Sequence, residues 1–150
     1  MLQRKPNRIL IVEDSKEDFM VIHRAFNRVG MVDALFHINN GDEALDYLHK
    51  EGKYRDSSTH VLPEMVILDL NLPGVDGREI LKKMKGNTRL KKIPVIILTT
   101  SADESDVEAC YTDGANSYIQ KPVEFKGFID AVEHIKEYWF GISLLPNGLH

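Results

Sequence analysis

The sequence predicts an α/β fold, a doubly wound parallel sheet of five strands with five helices on its two faces. Three observations carry that prediction. Short β-branched runs without polar alternation recur at Ile9–Val12, Met65–Leu68 and 95–98, as in strands covered on both faces. Segments with apolar residues at helical spacing separate these runs, and the strand-then-helix order points to a sheet with helices on both sides. Acids, hydroxyls and a lysine stand directly after the apolar runs, at what would be one edge of the sheet.

Each element follows from local pattern. After Asp14 and Ser15, the residues Phe19, Ile22, Phe26 and Val29 repeat at helical spacing. A weaker strand is expected over 34–38. Asn40 with Glu43 three residues on reads as a capped helix start. Residues 51–62 (EGKYRDSSTHVL) are polar and without period, and are expected as an extended surface loop ending near Pro63. Ser101 with Glu104 repeats the helix-start signal, and Gly114 sits where a left-handed stop belongs. A second weak strand is expected at Ser117–Gln120. Phe125, Phe128, Ile129, Val132, Ile135 and Trp139 form the apolar stripe of a last helix.

Composition bounds the function. A chain of 150 residues, 43% hydrophobic and 28% charged, suits one domain with a core that needs no disulfide. With a net charge of −4, generic binding to a phosphate backbone is not favoured. The basic run 82–92 (KKMKGNTRLKK) is read as a solvated helix face and loop. The single cysteine, Cys110, is expected to be a small buried hydrophobe, and the six histidines show no ligand-like clustering. Residues 1–8 are basic but precede only a short apolar run, and no run approaches the roughly 20 residues of a membrane span. A cytoplasmic protein without a signal peptide is expected.

The acids fall where chemistry is expected. Glu13 and Asp14 follow the first strand and Asp69 follows the third. In the flavodoxin-like strand order 2-1-3-4-5, strands one and three flank the switch point, where ligands bind at the carboxyl ends. That order would bring Glu13, Asp14 and Asp69 together. Three clustered carboxylates repel one another, and a hard divalent cation such as magnesium resolves the conflict. Taken alone, they are equally well read as solvated strand-end acids. Thr99 at the end of the fourth strand and Lys121 at the end of the fifth add a hydroxyl and an ammonium at the same edge. Together these are the parts of a phosphoryl-transfer site.

The stretches ILIVEDS (9–15), VILDLNLPGVDG (66–77), VIILTTS (95–101) and GANSYIQKPV (114–123) closely resemble the response-regulator receiver family, over residues 9 to about 138. The intervals from Asp69 to Thr99 and to Lys121 are those of the chemotaxis-type regulator. The resemblance implies roles. Asp69 would accept the phosphoryl group from a sensor histidine kinase. Asp14 would ligate magnesium directly, Glu13 partly through water, Asp69 through its carboxylate and Asn71 through its backbone carbonyl. Thr99 would be the switch hydroxyl, Lys121 the cation paired first with the acceptor and then with the phosphoryl group. Tyr118 stands at the position of the rotating switch aromatic, and is equally a packed strand aromatic. The Lys121–Pro122 bond would be cis.

Two features depart from the minimal regulator: the longer interval between Asp14 and Asp69, placed in the 51–62 loop, and the continuation EYWFGISLLPNGLH (137–150). Both, with the DSKED run at 14–18, resemble the small regulators that partner microbial phytochromes and related kinases. Residues 1–150 are thus expected as a single receiver with a core of about 8–138 and an extension at 139–150. Without room for a DNA-binding output domain, output is expected through a protein target. Trp139, Phe140, Ile142, Leu144 and Leu145 either close the core or form a homodimer contact beside the last helix. A degenerate receiver serving only as an interaction module remains an alternative, as does a magnesium-dependent phosphohydrolase. The usual second Asp of the dehalogenase-type hydrolases is here Asn71.

Overall fold

A computed structural model describes residue 6, residues 8–57 and residues 60–146. Five strands form one sheet: β1 (Ile9–Val12), β2 (Leu35–Ile38), β3 (Met65–Leu68), β4 (Val95–Thr99) and β5 (Ser117–Gln120). Their order is β2-β1-β3-β4-β5, and every pairing is parallel. The helices are α1 (Lys16–Arg28), α2 (Gly41–His49), α3 (Gly77–Lys85), α4 (Glu104–Thr112) and α5 (Phe125–Glu137). The expected flavodoxin-like fold is the observed one.

Strand periodicity divides the core in two. Leu10, Val12, Val66, Leu68, Val95 and Ile97 point to one face, where Tyr47 and Leu48 of α2 and Ile80 and Met84 of α3 cover them. Ile9, Ile11, Met65, Ile67, Ile96 and Leu98 point to the other, against Ile22 and Phe26 of α1 and Phe128, Val132 and Ile135 of α5. Each such side chain contributes about 1.5–3 kcal/mol by leaving water, so the three central strands and four of the helices are firmly held. Helix α4 is different: its one fully buried residue is Cys110, as expected for a small core hydrophobe.

Caps follow the local chemistry. Ser15 accepts from the Asp18 amide, and Asn40 from that of Glu43. The start of α4 lies two residues later than expected. Asp103, not Ser101, is its cap, accepting from the Ser105 amide. Ser101 is otherwise engaged, its hydroxyl donating to Asp106 and accepting from the Asp103 amide. Gly114, with φ +104°, supplies the left-handed stop after α4.

Three further expectations are modified. The described part of the 51–62 loop contains a short 3₁₀ turn, Gly52–Tyr54, and is not merely polar surface. Tyr47, fully buried, donates its hydroxyl to Val61 O at 2.6 Å and accepts from Arg8 at 2.9 Å, while His60 bonds Tyr47 O. Leu62 is buried at the loop's end. Residues 58–59 lie outside the described residues, as do 1–5, 7 and 147–150 of the two termini. The last helix ends at Glu137, and Tyr138–Ile142 continue as a π turn that carries Trp139. In the apolar tail Phe140 is buried and Trp139 and Leu145 pack on the core, as the core-closing reading expects, while Ile142 and Leu144 are exposed. The Lys121–Pro122 bond is trans, since no peptide bond among the described residues is cis; trans is the lower-energy form of an X–Pro bond, and the Lys121 ammonium reaches its partners with it.

Candidate phosphoryl-transfer site

Parallel register assembles the site at the carboxyl edge of the sheet. Val12 pairs with Leu68, so Glu13 and Asp69 leave neighbouring strands at the same level. The Asp69 amide donates to Val12 O at 3.0 Å, the Glu13 amide to Ile38 O at 3.1 Å, and the Lys121 amide to Thr99 O at 2.7 Å. These backbone bonds fix where each functional side chain begins. Gly77 is required beside them: a Cβ there would stand 2.1 Å from Asp69 O, so α3 can start against the Asp69 backbone only with glycine.

Ligand oxygens of Glu13, Asp14 and Asp69 lie within 4.8 Å of one another, with Glu13 and Asp69 buried and Asp14 exposed. Lys121 enters this cluster from β5, its ammonium 2.8 Å from Glu13 Oε1, 2.9 Å from Asp69 Oδ2 and 2.8 Å from Asp18 Oδ2. The second oxygen of Glu13 accepts from the Ser15 amide, and that of Asp69 from the Asn71 amide. Both buried carboxylates are therefore held at both oxygens, while Asp14 faces solvent.

The electrostatics are those of a site short of positive charge. Burial pushes the Glu13 carboxyl up to about 7, against the pull of Lys121 and with the added repulsion of Asp69. Burial works against the charged form of Lys121, yet the hydrogen bonds it donates to Asp18, Glu13 and Asp69 outweigh it and raise its pKa. One ammonium does not balance this many carboxylates. An all-oxygen donor set, partly open to water through Asp14, suits a hard divalent cation. A second observation stands at the same edge: Thr99 Oγ1 is buried without a hydrogen-bond partner among the described residues, whereas buried polar atoms are ordinarily bonded.

Tyr118 is tied down, its hydroxyl donating to Ser101 O at 2.9 Å across the loop after β4. Beside the chain leaving Asp69 opens a cleft of about 330 Å³ lined in part by Asn71, Asp76, Arg78, Ser101 and Asp106. The basic run 82–92 is largely the solvated face expected, but Lys85 is spent inside the fold, donating to Lys91 O, Ile93 O and Asn116. Among the described residues, the acidic triad is the group of potential metal ligands that converges, and no histidine belongs to it. Sequence reasoning missed Asp18, since nothing in its spacing marks it as a partner of a lysine 103 residues away.

The fold is a flavodoxin-like doubly wound sheet with a carboxylate cluster at its carboxyl edge that suits a divalent cation. The chain belongs to the response regulator receiver domain family, which matches residues 9–133. It is 43% identical to a probable methanogenesis regulatory protein, FilR2, of Methanothrix harundinacea over 93% of this chain and 87% of that protein. It is 38% identical to the response regulator Rcp1 of Synechocystis over 94% of each chain. The manganese-bound form of Rcp1 superposes with a TM-score of 0.84 over 94% of this chain and 99% of its own. The phosphorylated cyanobacterial phytochrome response regulator RcpA does so with 0.85 at 36% identity, over 94% and 99%. The protein is thus a response regulator of two-component signalling. No described helix is long and apolar enough to cross a membrane.

Proposed function

We propose that this protein receives a phosphoryl group on Asp69 from a sensor histidine kinase, with magnesium as cofactor, and passes the signal on by altering a protein-binding surface. The observation that carries the reading is Lys121, an ammonium fixed within 2.9 Å of both Glu13 and Asp69 at the edge where Thr99 keeps a buried hydroxyl unused. Asp69 is the nucleophile. Its carboxylate oxygen attacks phosphorus as the bond from phosphorus to the donor nitrogen breaks. The cleft lined by Asn71, Arg78 and Ser101 is where the donor approaches. Magnesium, held by Glu13, Asp14, Asp69 and the Asn71 carbonyl, would supply positive charge for the transferring oxygens. Lys121 exchanges the Asp69 oxygen for a phosphoryl oxygen, and Thr99 donates its hydroxyl to the same group. The movement of Thr99 pulls on the loop that holds Ser101, and with it on Tyr118, whose hydroxyl bonds that loop. Helix α4, anchored by little burial, is the element that shifts.

The chain acts as a switch without turnover. Its receiver core runs over about 8–138, with 139–150 as an extension whose exposed Ile142 and Leu144 provide a homodimer contact. It works in the cytoplasm and reports to a downstream protein target. Several similar structures are phytochrome or bacteriophytochrome regulators, so a phytochrome-type kinase is the partner to test first.

Acetyl phosphate, offered with and without magnesium to the protein and to Asp69→Asn, tests the reading by intact mass. One added phosphoryl group that needs both magnesium and Asp69 is expected. Absence of any adduct would leave an interaction module, and continuous phosphate release over many turnovers would make the protein a phosphohydrolase.

A further inference from the structure

We propose that Asp18 is a positioning residue for Lys121 that also restrains phosphoryl acceptance, its charge competing with the incoming group for the ammonium. The proposal rests on Asp69 being the acceptor. A lysine ammonium has three N–H donors. Those of Lys121 are matched by three carboxylate oxygens: Glu13 Oε1 and Asp18 Oδ2 at 2.8 Å, Asp69 Oδ2 at 2.9 Å. The side chain is only 6% exposed, so no donor is left for water.

The three partners are unequal. Glu13 and Asp69 belong to the cluster that can hold a cation, whereas Asp18 does not. Nor does α1 need the Asp18 carboxylate to begin, because Ser15 caps it by accepting from the Asp18 amide. Asp18 is also the partner open to water, with its side chain 37% exposed against 2% for Glu13 and 6% for Asp69. Water solvates its carboxylate there, whereas Lys121 is cut off from water, so the pairing serves the lysine rather than the aspartate.

The consequence lies in the charge Lys121 must balance. A phosphoryl group brings more negative charge to the site than the carboxylate oxygen it covers. When it arrives, the ammonium faces Glu13, Asp18 and the phosphoryl oxygens together. The charge of Asp18 then weakens the stabilisation that Lys121 gives to the transition state and to the product. Asn at position 18 keeps an oxygen to receive the third N–H and removes that charge.

The test measures the rate of phosphorylation by acetyl phosphate in magnesium, in which the phosphorus–oxygen bond to acetate breaks as the bond to Asp69 forms. Asp18→Asn is expected to react about fivefold faster, the factor that a partly exposed ion pair commands. Glu17→Gln removes the same charge from the same helical turn, where the carboxylate lies against Ser15 Oγ instead, and is expected to stay within about twofold of the parent. A lesion of folding slows the reaction, so acceleration is a readout that a merely structural role does not give. The second readout needs neither metal nor phosphate: the ¹⁵N resonance of the Lys121 ammonium, protected from solvent exchange in the parent and in Asp18→Asn, should broaden in Asp18→Ala. An Asp18→Asn rate equal to or below the parent's overturns the proposal, and so does an ammonium equally protected in Asp18→Ala. If the parent protein accepts no phosphoryl group, the reading of Asp69 itself fails and takes the restraint with it, while the ammonium signal still reports whether Asp18 holds Lys121.

Discussion

Replacing Asp69 by Asn should stabilise the protein in the absence of divalent ions, although it removes an ion pair. The oxygens offered by Glu13, Asp14 and Asp69 lie within 4.8 Å of one another. At an effective dielectric constant of roughly 40, each repulsion at that distance is about 1.7 kcal/mol, so Asp69 meets about 3.4 kcal/mol from two neighbours. On the same scale its attraction to the Lys121 ammonium at 2.9 Å is about 2.9 kcal/mol. The two nearly cancel. Desolvation decides the sign, because Asp69 is buried, and Asn keeps a hydrogen-bonding oxygen without a charge to bury. A net gain of about 1–2 kcal/mol follows, a rise in Tm of about 2–8 °C for a domain of this size. Scanning calorimetry near pH 7.5 in a chelator measures it. Magnesium should reverse the order, since the parent gains about 2.7 kcal/mol at a hundredfold excess over Kd, and the variant, one carboxylate short, gains less. A variant less stable than the parent in chelator, or a difference that magnesium leaves unchanged, would refute this reasoning.

Four other outcomes follow from the same geometry. Because burial lifts Glu13 to about 7 from an ordinary 4.5, the folded protein binds more protons than the unfolded chain between those values. Its stability in chelator should therefore fall as pH rises through that window, by at most about 3–4 kcal/mol; urea midpoints across the window should show the slope in the parent, and neither Glu13→Gln nor saturating magnesium should retain it. Thr99→Val removes a buried hydroxyl without a partner among the described residues, so the resting protein should keep its stability or gain up to about 1–2 kcal/mol while its phosphoryl adduct becomes shorter-lived, read by thermal melts and by mass. Tyr47→Phe breaks the bonds to Val61 and Arg8 at a cost of about 1–2 kcal/mol, and limited proteolysis should quicken within 51–62 first. Phe140→Ala, in the core, should cost about 3–4 kcal/mol, whereas Leu144→Ala should leave monomer stability within about 0.5 kcal/mol and weaken self-association in sedimentation.

Fold and the gathering of charged side chains at one sheet edge were legible in the sequence because both rest on local chemistry at strand ends. Uninterrupted β-branched runs mark strands buried on both sides, and the strand–helix alternation leaves few ways to order them. Once strands one and three are neighbours, Glu13, Asp14 and Asp69 must meet, whatever their separation along the chain. Local signals were less sure where two neighbouring side chains both suit a helix cap: Ser101 accepts from the Asp103 amide and donates to Asp106, and Asp103, accepting from the Ser105 amide, is the residue that caps α4.

The sequence by itself determined the elements, their order and the edge where the charged groups gather, since hydrophobic period and strand-end position act within a few residues. The tertiary structure alone decided which partners those groups take. Asp18 and Lys121 stand 103 residues apart, Tyr47 fastens a loop that reads as plain surface, and Phe140 is buried while Leu144, four residues on, is exposed. Such outcomes depend on distances of a few ångströms between segments remote in the chain, and these are set only when both faces of the sheet have closed over their cores.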